Sequence, residues 1–159
     1  MATLEKLVEQ GKLEQLDGGL DEYEQPERSI YAFPNVIAWL ENTLPTLEPI
    51  LDEGRLSPME QVDDFLHDFI SGADFSYYKR AHFMDPKENG IWELKTTDVR
   101  FFGWFYKRYV FIAAEVNSAE FCKANNGAYA GHQNVCLHRL RTLELDEPKI
   151  IYGDYAYVL

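Results

Sequence analysis

The run from Gly90 to Val116, GIWELKTTDVRFFGWFYKRYVFIAAEV, constrains this chain more than any other stretch. It is dense in aromatic and β-branched residues. Two short polar breaks, Thr96-Thr97-Asp98 and Lys107-Arg108, divide it into three pieces of strand length. Alternation with turn chemistry at the breaks predicts a three-stranded antiparallel meander. A turn at Thr97-Asp98 sets Lys95 opposite Arg100 and Glu93 opposite Phe102. A turn at Lys107-Arg108 sets Trp104 opposite Phe111 and Arg100 opposite Glu115. Because side chains alternate across a sheet, two faces follow. Trp92, Leu94, Val99, Phe101, Gly103, Phe105, Val110, Ile112, Ala114 and Val116 form one, nearly all apolar. Ile91, Glu93, Lys95, Arg100, Phe102, Trp104, Tyr106, Tyr109, Phe111 and Glu115 form the other, which mixes aromatic rings with charges.

That second face admits two readings. Phe102, Trp104 and Tyr106 beside Arg100 and Lys95 offer what single-stranded RNA recognition needs, rings for bases and cations for phosphates. The same rings equally suit a second core face, since so many aromatics in one patch are rarely left in water. In that case Glu93, Lys95, Arg100 and Glu115 become a cross-strand ion network.

The rest of the chain supplies helices. Leu4, Leu7, Val8, Leu13 and Leu16 predict a helix over 2–16, closed by Asp17-Gly18-Gly19. An acidic stretch with Pro26 reads as a surface linker. Ser29 to Phe33 is a short strand stopped by Pro34. Asn35 is the expected cap of a helix to Leu44, and Leu47, Ile50 and Leu51 a further apolar turn ended by Gly54. Ser57-Pro58-Met59-Glu60 is a capping box with proline at the first helical position, and Met59, Val62, Phe65, Leu66, Phe69 and Ile70 give the helix after it one buried face before Gly72 stops it. Residues 75–84 show no clean period, and Asn89-Gly90 suits a tight turn. Asn117 to Gly127 reads as polar turn, 129–143 as a last helix, and 150–159 as an extended tail.

Charge and composition narrow the function classes. The 159 residues carry a net charge of −12, which argues against simple nucleic-acid binding over the whole surface. Residues 1–78 hold 17 Asp/Glu against 4 Lys/Arg, whereas residues 79–108 hold 7 basic against 4 acidic residues, so the one basic segment adjoins the meander. No apolar run reaches the ~18 residues of a membrane span, and the charged N-terminus lacks an apolar signal core, so a cytoplasmic protein is expected. Cys122 and Cys136 read as reduced thiols. Asp63, Asp64, His67 and Asp68 read as the solvated face of a helix, and His132 with Cys136 as helix surface and core, so no metal or other cofactor is expected.

The run Gly90-Ile91-Trp92-Glu93-Leu94-Lys95 followed by Asp98-Val99-Arg100-Phe101-Phe102 resembles the W-E-L-r … R-i-f-y signature of the RelE/HigB-like toxin superfamily, with the phage-derived Gp49-like branch the nearest match. The order of elements over residues 29–145 is also similar. The resemblance implies an α+β fold with an antiparallel sheet and helices packed on one face. Residues 1–28 would be an acidic helical extension and linker, and residues 29–159 the domain with its extended tail. It implies a toxin–antitoxin-type, ribosome-dependent mRNA endonuclease of phage or prophage origin, or a relative that has lost the activity. Its partners would be an antitoxin protein, the ribosome and mRNA. The chemistry would be metal-independent, with basic residues stabilising charge on the scissile phosphate and an ionisable group moving the proton. Arg100 matches the family's sheet arginine. Lys79, Arg80 and His82 fall in its basic loop region, and Lys95 at a position where a basic strand residue is common. The sequence departs from the family after the third strand, where Glu115 to Glu120 stands in place of a basic cluster. The alternative is therefore a non-catalytic protein-interaction module of the same fold.

Overall fold

A computed structural model of the chain describes residues 1–49, 56–75 and 80–159. The described residues form an α+β fold around a six-stranded sheet. Its strands are β1 (Glu14–Gln15), β2 (Ser29–Ala32), β3 (Ala81–Phe83), β4 (Trp92–Lys95), β5 (Val99–Lys107) and β6 (Val110–Ser118). They lie in the order β1-β2-β6-β5-β4-β3. The sheet is mixed rather than antiparallel throughout, because β2 runs parallel to β6 while the other neighbours are antiparallel. A parallel pair needs a long crossover, and the helices α2 (Pro34–Asn42) and α3 (Pro58–Ser71) lie within the one between β2 and β6.

Each helix has a local cause. In α3, Ser57 accepts from the Glu60 amide and Glu60 reaches back to the Ser57 amide, completing the expected capping box. Gly72 ends it in the left-handed conformation that glycine adopts freely. α2 starts two residues earlier than expected, with Phe33 before Pro34 in the cap position. The side chain of Asn35 is not its cap; it donates instead to the Ala114 carbonyl and to Glu115. The first helix is shorter than its apolar pattern suggests: α1 covers Leu4–Glu9, and Leu13 is buried from the chain leading into β1. Ser118 caps a short α4 (Ala119–Ala124) within the predicted turn, followed by α5 (Ala128–Thr142). The expected extended tail contains one helical turn, α6 (Tyr155–Val158). The apolar turn expected at Ile50, Leu51 and Gly54 lies outside the described residues.

Helices cover both faces of the sheet, not one. The first core gathers Val36 of α2 and Val62, Phe65, Leu66, Phe69 and Ile70 of α3 over Trp92, Leu94, Phe101 and Phe105. The second gathers Leu7 of α1, Leu13, Cys136 and Leu140 of α5 and Leu145 over Ile91, Phe102, Trp104 and Tyr106. Residues 1–28 are thus built into the sheet through β1 and into the second core. Burying large apolar side chains contributes about 1.5–3 kcal/mol each, which explains why the second face does not stay open.

The register of β4 on β5 matches the expected pairing, Lys95 with Arg100 and Glu93 with Phe102. That of β5 on β6 does not. The turn is Arg108-Tyr109, with Tyr109 at φ 69°, and two bulges interrupt the ladder. Phe102 pairs with Glu115 while Gly103 pairs with Ala113, so Ala114 is an extra residue. The bulge exchanges the faces of the first half of β6: Phe111 and Ala113 enter the first core, and Ile112 and Ala114 the second.

Among the described residues no helix is long and apolar enough to cross a membrane.

Candidate functional site

The β4–β5 turn, residues 96–99, is the anchor of the site. Gln61 of α3 holds it from one side: its Oε1 accepts from the Asp98 amide at 2.9 Å and from Thr96 Oγ1 at 3.0 Å, and its Nε2 donates to Asp98 Oδ2 at 2.6 Å. The Asp98 carbonyl accepts from the Ala119 amide at 2.8 Å, which ties the start of α4 to the same turn. From within, the Arg100 guanidinium donates to the Thr96 carbonyl and reaches those of Thr97 and Val99 at 3.4 and 3.2 Å. One turn therefore fixes three elements relative to one another.

Arg100 is buried and already engaged. Its Nε lies 3.2 Å from Glu93 Oε1, a charge contact without an aligned hydrogen bond. The expected partner, Glu115, stands elsewhere: Arg100 pairs with Asn117 across the strands. Glu115 takes a hydrogen bond from Arg139 at 2.9 Å and lies 3.1 Å from His132 Nδ1, joining α5 to β6. The other oxygen of Glu93 lies 3.3 Å from Nε2 of His82, whose imidazole is 46% exposed. Glu93 is thus shared between a buried arginine and an exposed histidine, on paired residues of β3 and β4. Arg80, just before β3, is bound to Asp68 Oδ2 at 2.7 Å and lies over the Phe75 ring. Its carbonyl accepts from the Lys95 amide at 2.8 Å, so Lys95 is fixed on the same end of the sheet.

Two depressions adjoin here. One, of about 700 Å³, is lined by His82, Glu93 and Tyr129 among others; a second, of about 510 Å³, by Gln61, Asp64, Arg80 and Thr97 among others. Lys95, Arg100 and Lys123 line both. Both volumes lie within the ~300–1,000 Å³ range of small-ligand sites. Four of the five residues expected to carry chemistry lie around this adjoining pair, which shares a wall and is called the groove below: Arg80 lines the smaller depression, His82 the larger, and Lys95 and Arg100 both. Lys79 lies outside the described residues.

The rings expected to stack on bases do not line the groove. Phe102 and Trp104 are 0% and Tyr106 7% exposed, beneath α5 and the N-terminal segment. The Trp104 indole donates to the Lys149 carbonyl at 3.0 Å and the Tyr106 hydroxyl to that of Asp146 at 3.2 Å, so their polar atoms are also spent inside. Of the two readings of this face, the structure has the second core.

Lys123 is the residue that sequence reasoning missed. It sits on α4, inside a stretch that reads as a turn because of Asn125-Asn126-Gly127. The signal was Ser118, whose hydroxyl accepts from the Phe121 amide at 3.0 Å and starts a helix there. Among the described residues neither Lys95 nor Lys123 forms an ion pair, whereas Arg80, His82 and Arg100 each face a carboxylate. The groove thus presents two free ammonium groups beside an exposed histidine.

The remaining titratable clusters offer less. Among the described residues no group of three or more His, Cys, Asp and Glu side chains could hold a metal ion. Cys122 and Cys136 are free and buried; burial pushes the Cys122 thiol up to about 11, and that of Cys136 higher still, so neither is poised as a thiolate.

No protein-family model, no curated protein and no solved structure matches this chain.

Proposed function

We propose that this chain is a RelE/HigB-like, toxin–antitoxin-type protein that acts on mRNA at the groove between β3, the β4–β5 turn and α4. The observation that carries this reading is the gathering of Lys95, Arg100, Arg80 and His82 around two adjoining depressions with a shared wall in an otherwise acidic protein. The residues suit cleavage through the ribose 2′-hydroxyl. His82, oriented by Glu93, takes the proton from the 2′-hydroxyl. The 2′ oxygen attacks phosphorus and the bond to the 5′ oxygen breaks, leaving a 2′,3′-cyclic phosphate and a 5′-hydroxyl that takes its proton from solvent. Lys95 stabilises the charge that develops on the phosphate oxygens. Arg100 is buried too deeply to be the main phosphate ligand; it sets the turn that aims Lys95.

A second reading is a protein of this fold without catalysis. It is favoured by one specific observation: Glu93 faces both Arg100 and His82, placing a carboxylate within the cationic cluster. Induced expression in a bacterial host, with mapping of mRNA 5′ ends, separates the two. The enzyme reading expects growth arrest and cleaved mRNA, with His82→Ala slowing cleavage by about 10²-fold or more. Normal growth with intact mRNA at full expression would overturn it in favour of the non-catalytic protein.

A further inference from the structure

Burial of Phe102, Trp104 and Tyr106 leaves the proposed groove without the rings that a single-stranded substrate would stack on. A half-exposed ring stands beside it. Tyr129, at the start of α5, lines the larger depression and is held edge-to-face against Phe102, with centroids 5.9 Å apart. Phe102 is itself covered by the His132 imidazole at 4.7 Å. The ring of Tyr129 therefore has a rigid aromatic backing.

The position of Lys123 is also fixed. Ser118 caps α4, the Ala119 amide is bonded to the Asp98 carbonyl, and Cys122 is buried in the second core beside Lys123. The turn that positions Lys95 thus positions Lys123 as well. Lys95 and Lys123 form a cationic ridge common to the two depressions.

We infer that Lys123 and Tyr129 complete the groove as a binding site for two consecutive nucleotides of single-stranded RNA. The phosphate between them lies on the ridge under Lys95 and Lys123, and the base on the His82 side stacks on Tyr129. The inference rests on the RNA reading of the groove and deepens it by assigning the backbone contact and the base platform to helices that follow the sheet. Ordered cations suit a phosphate because each contact releases counterions, and an aromatic platform suits any base because every base has a π face.

The test is binding of a fluorescent single-stranded RNA hexamer carrying 2′-O-methyl groups, which cannot be cleaved, to the full chain over a range of salt. Wild type should bind at low salt. Lys123→Ala should weaken binding and lower the slope of log K against log salt by about 0.7, as should Lys95→Ala. Tyr129→Leu, which keeps apolar cover over Phe102, should weaken binding about tenfold with the slope unchanged, while Tyr129→Phe should bind like wild type. Thermal melts of each variant check that it is folded. If wild type and Lys95→Ala differ as stated but Lys123→Ala and Tyr129→Leu bind like wild type, the inference fails and the RNA reading stands. If wild type does not bind, the RNA reading fails and takes the inference with it.

Discussion

Arg100 Nε lies 3.2 Å from Glu93 Oε1, with side chains only 7% and 5% exposed. A charge pair this deep is costly to break from one side, since the surviving ion is left in a poor dielectric. Arg100→Met would also strip the carbonyls of Thr96, Thr97 and Val99 of their donor. Urea unfolding should therefore show Arg100→Met destabilised by about 3–5 kcal/mol. The double variant Glu93→Leu/Arg100→Met should recover much of that loss. A single variant as stable as wild type would show that the pair does not hold the turn. The consequence reaches the functional assay: lost activity in an Arg100 variant is evidence about chemistry only once its folding has been measured.

How far this arrangement could be read beforehand depends on the range of the cause. Lys95 opposite Arg100 was legible because a two-residue turn and period-two alternation are local. So were the capping box at Ser57 and the convergence of basic residues toward the meander. The partner of Arg100 was not, because the β5–β6 turn falls one residue later than expected and two bulges interrupt the ladder, which together bring Asn117 rather than Glu115 opposite Arg100, and a bulge is chosen by what packs on each face rather than by the strand's own residues. β1 and β3 are too short to show a period. Whether Phe102, Trp104 and Tyr106 face water or a core depends on where α5 and residues 1–28 come to rest, which no local pattern specifies. Tyr129 and Lys123 enter the groove for the same reason, by the packing of helices remote from the signature.

Glu115 should make the clamp between α5 and β6 acid-sensitive. Burial pushes its carboxyl up, but the His132 hydrogen bond and the Arg139 charge outweigh this and hold it below the usual carboxylate range. A carboxyl depressed in the folded state contributes stability that is complete above its unfolded pKa, near 4.5, and is lost as pH falls through the lower folded value. Arg139→Met removes one source of the depression, so circular dichroism should show its acid unfolding midpoint at higher pH than that of wild type. The gap in stability between wild type and Glu115→Gln should close as pH falls below about 4.5. An unchanged midpoint in Arg139→Met would mean that this cluster does not govern acid stability.

Gly103 and Gly131 predict opposite responses to the same substitution. Gly103 lies beside the bulge, where a Cβ would collide with the Ile112 carbonyl oxygen and lie 3.0 Å from Cζ of Phe111. The first obstacle is backbone of a central strand and cannot rotate away, so the bulge or the β5–β6 ladder must yield. Gly131 is on the exposed side of α5, where a Cβ meets nothing within 4 Å. There alanine only improves the helix, by about 1 kcal/mol. Gly103→Ala should cost about 3 kcal/mol. For a chain of this size that lowers the melting temperature by roughly 6–12 °C, whereas Gly131→Ala should raise it by roughly 2–4 °C. Because Gly103 pairs with Trp92 of β4 as well as with Ala113 of β6, its loss should reach the neighbouring Glu93 and with it the groove. A Gly103→Ala variant that melts like wild type would mean that the register of β6, and the face assignment that follows from it, is wrong.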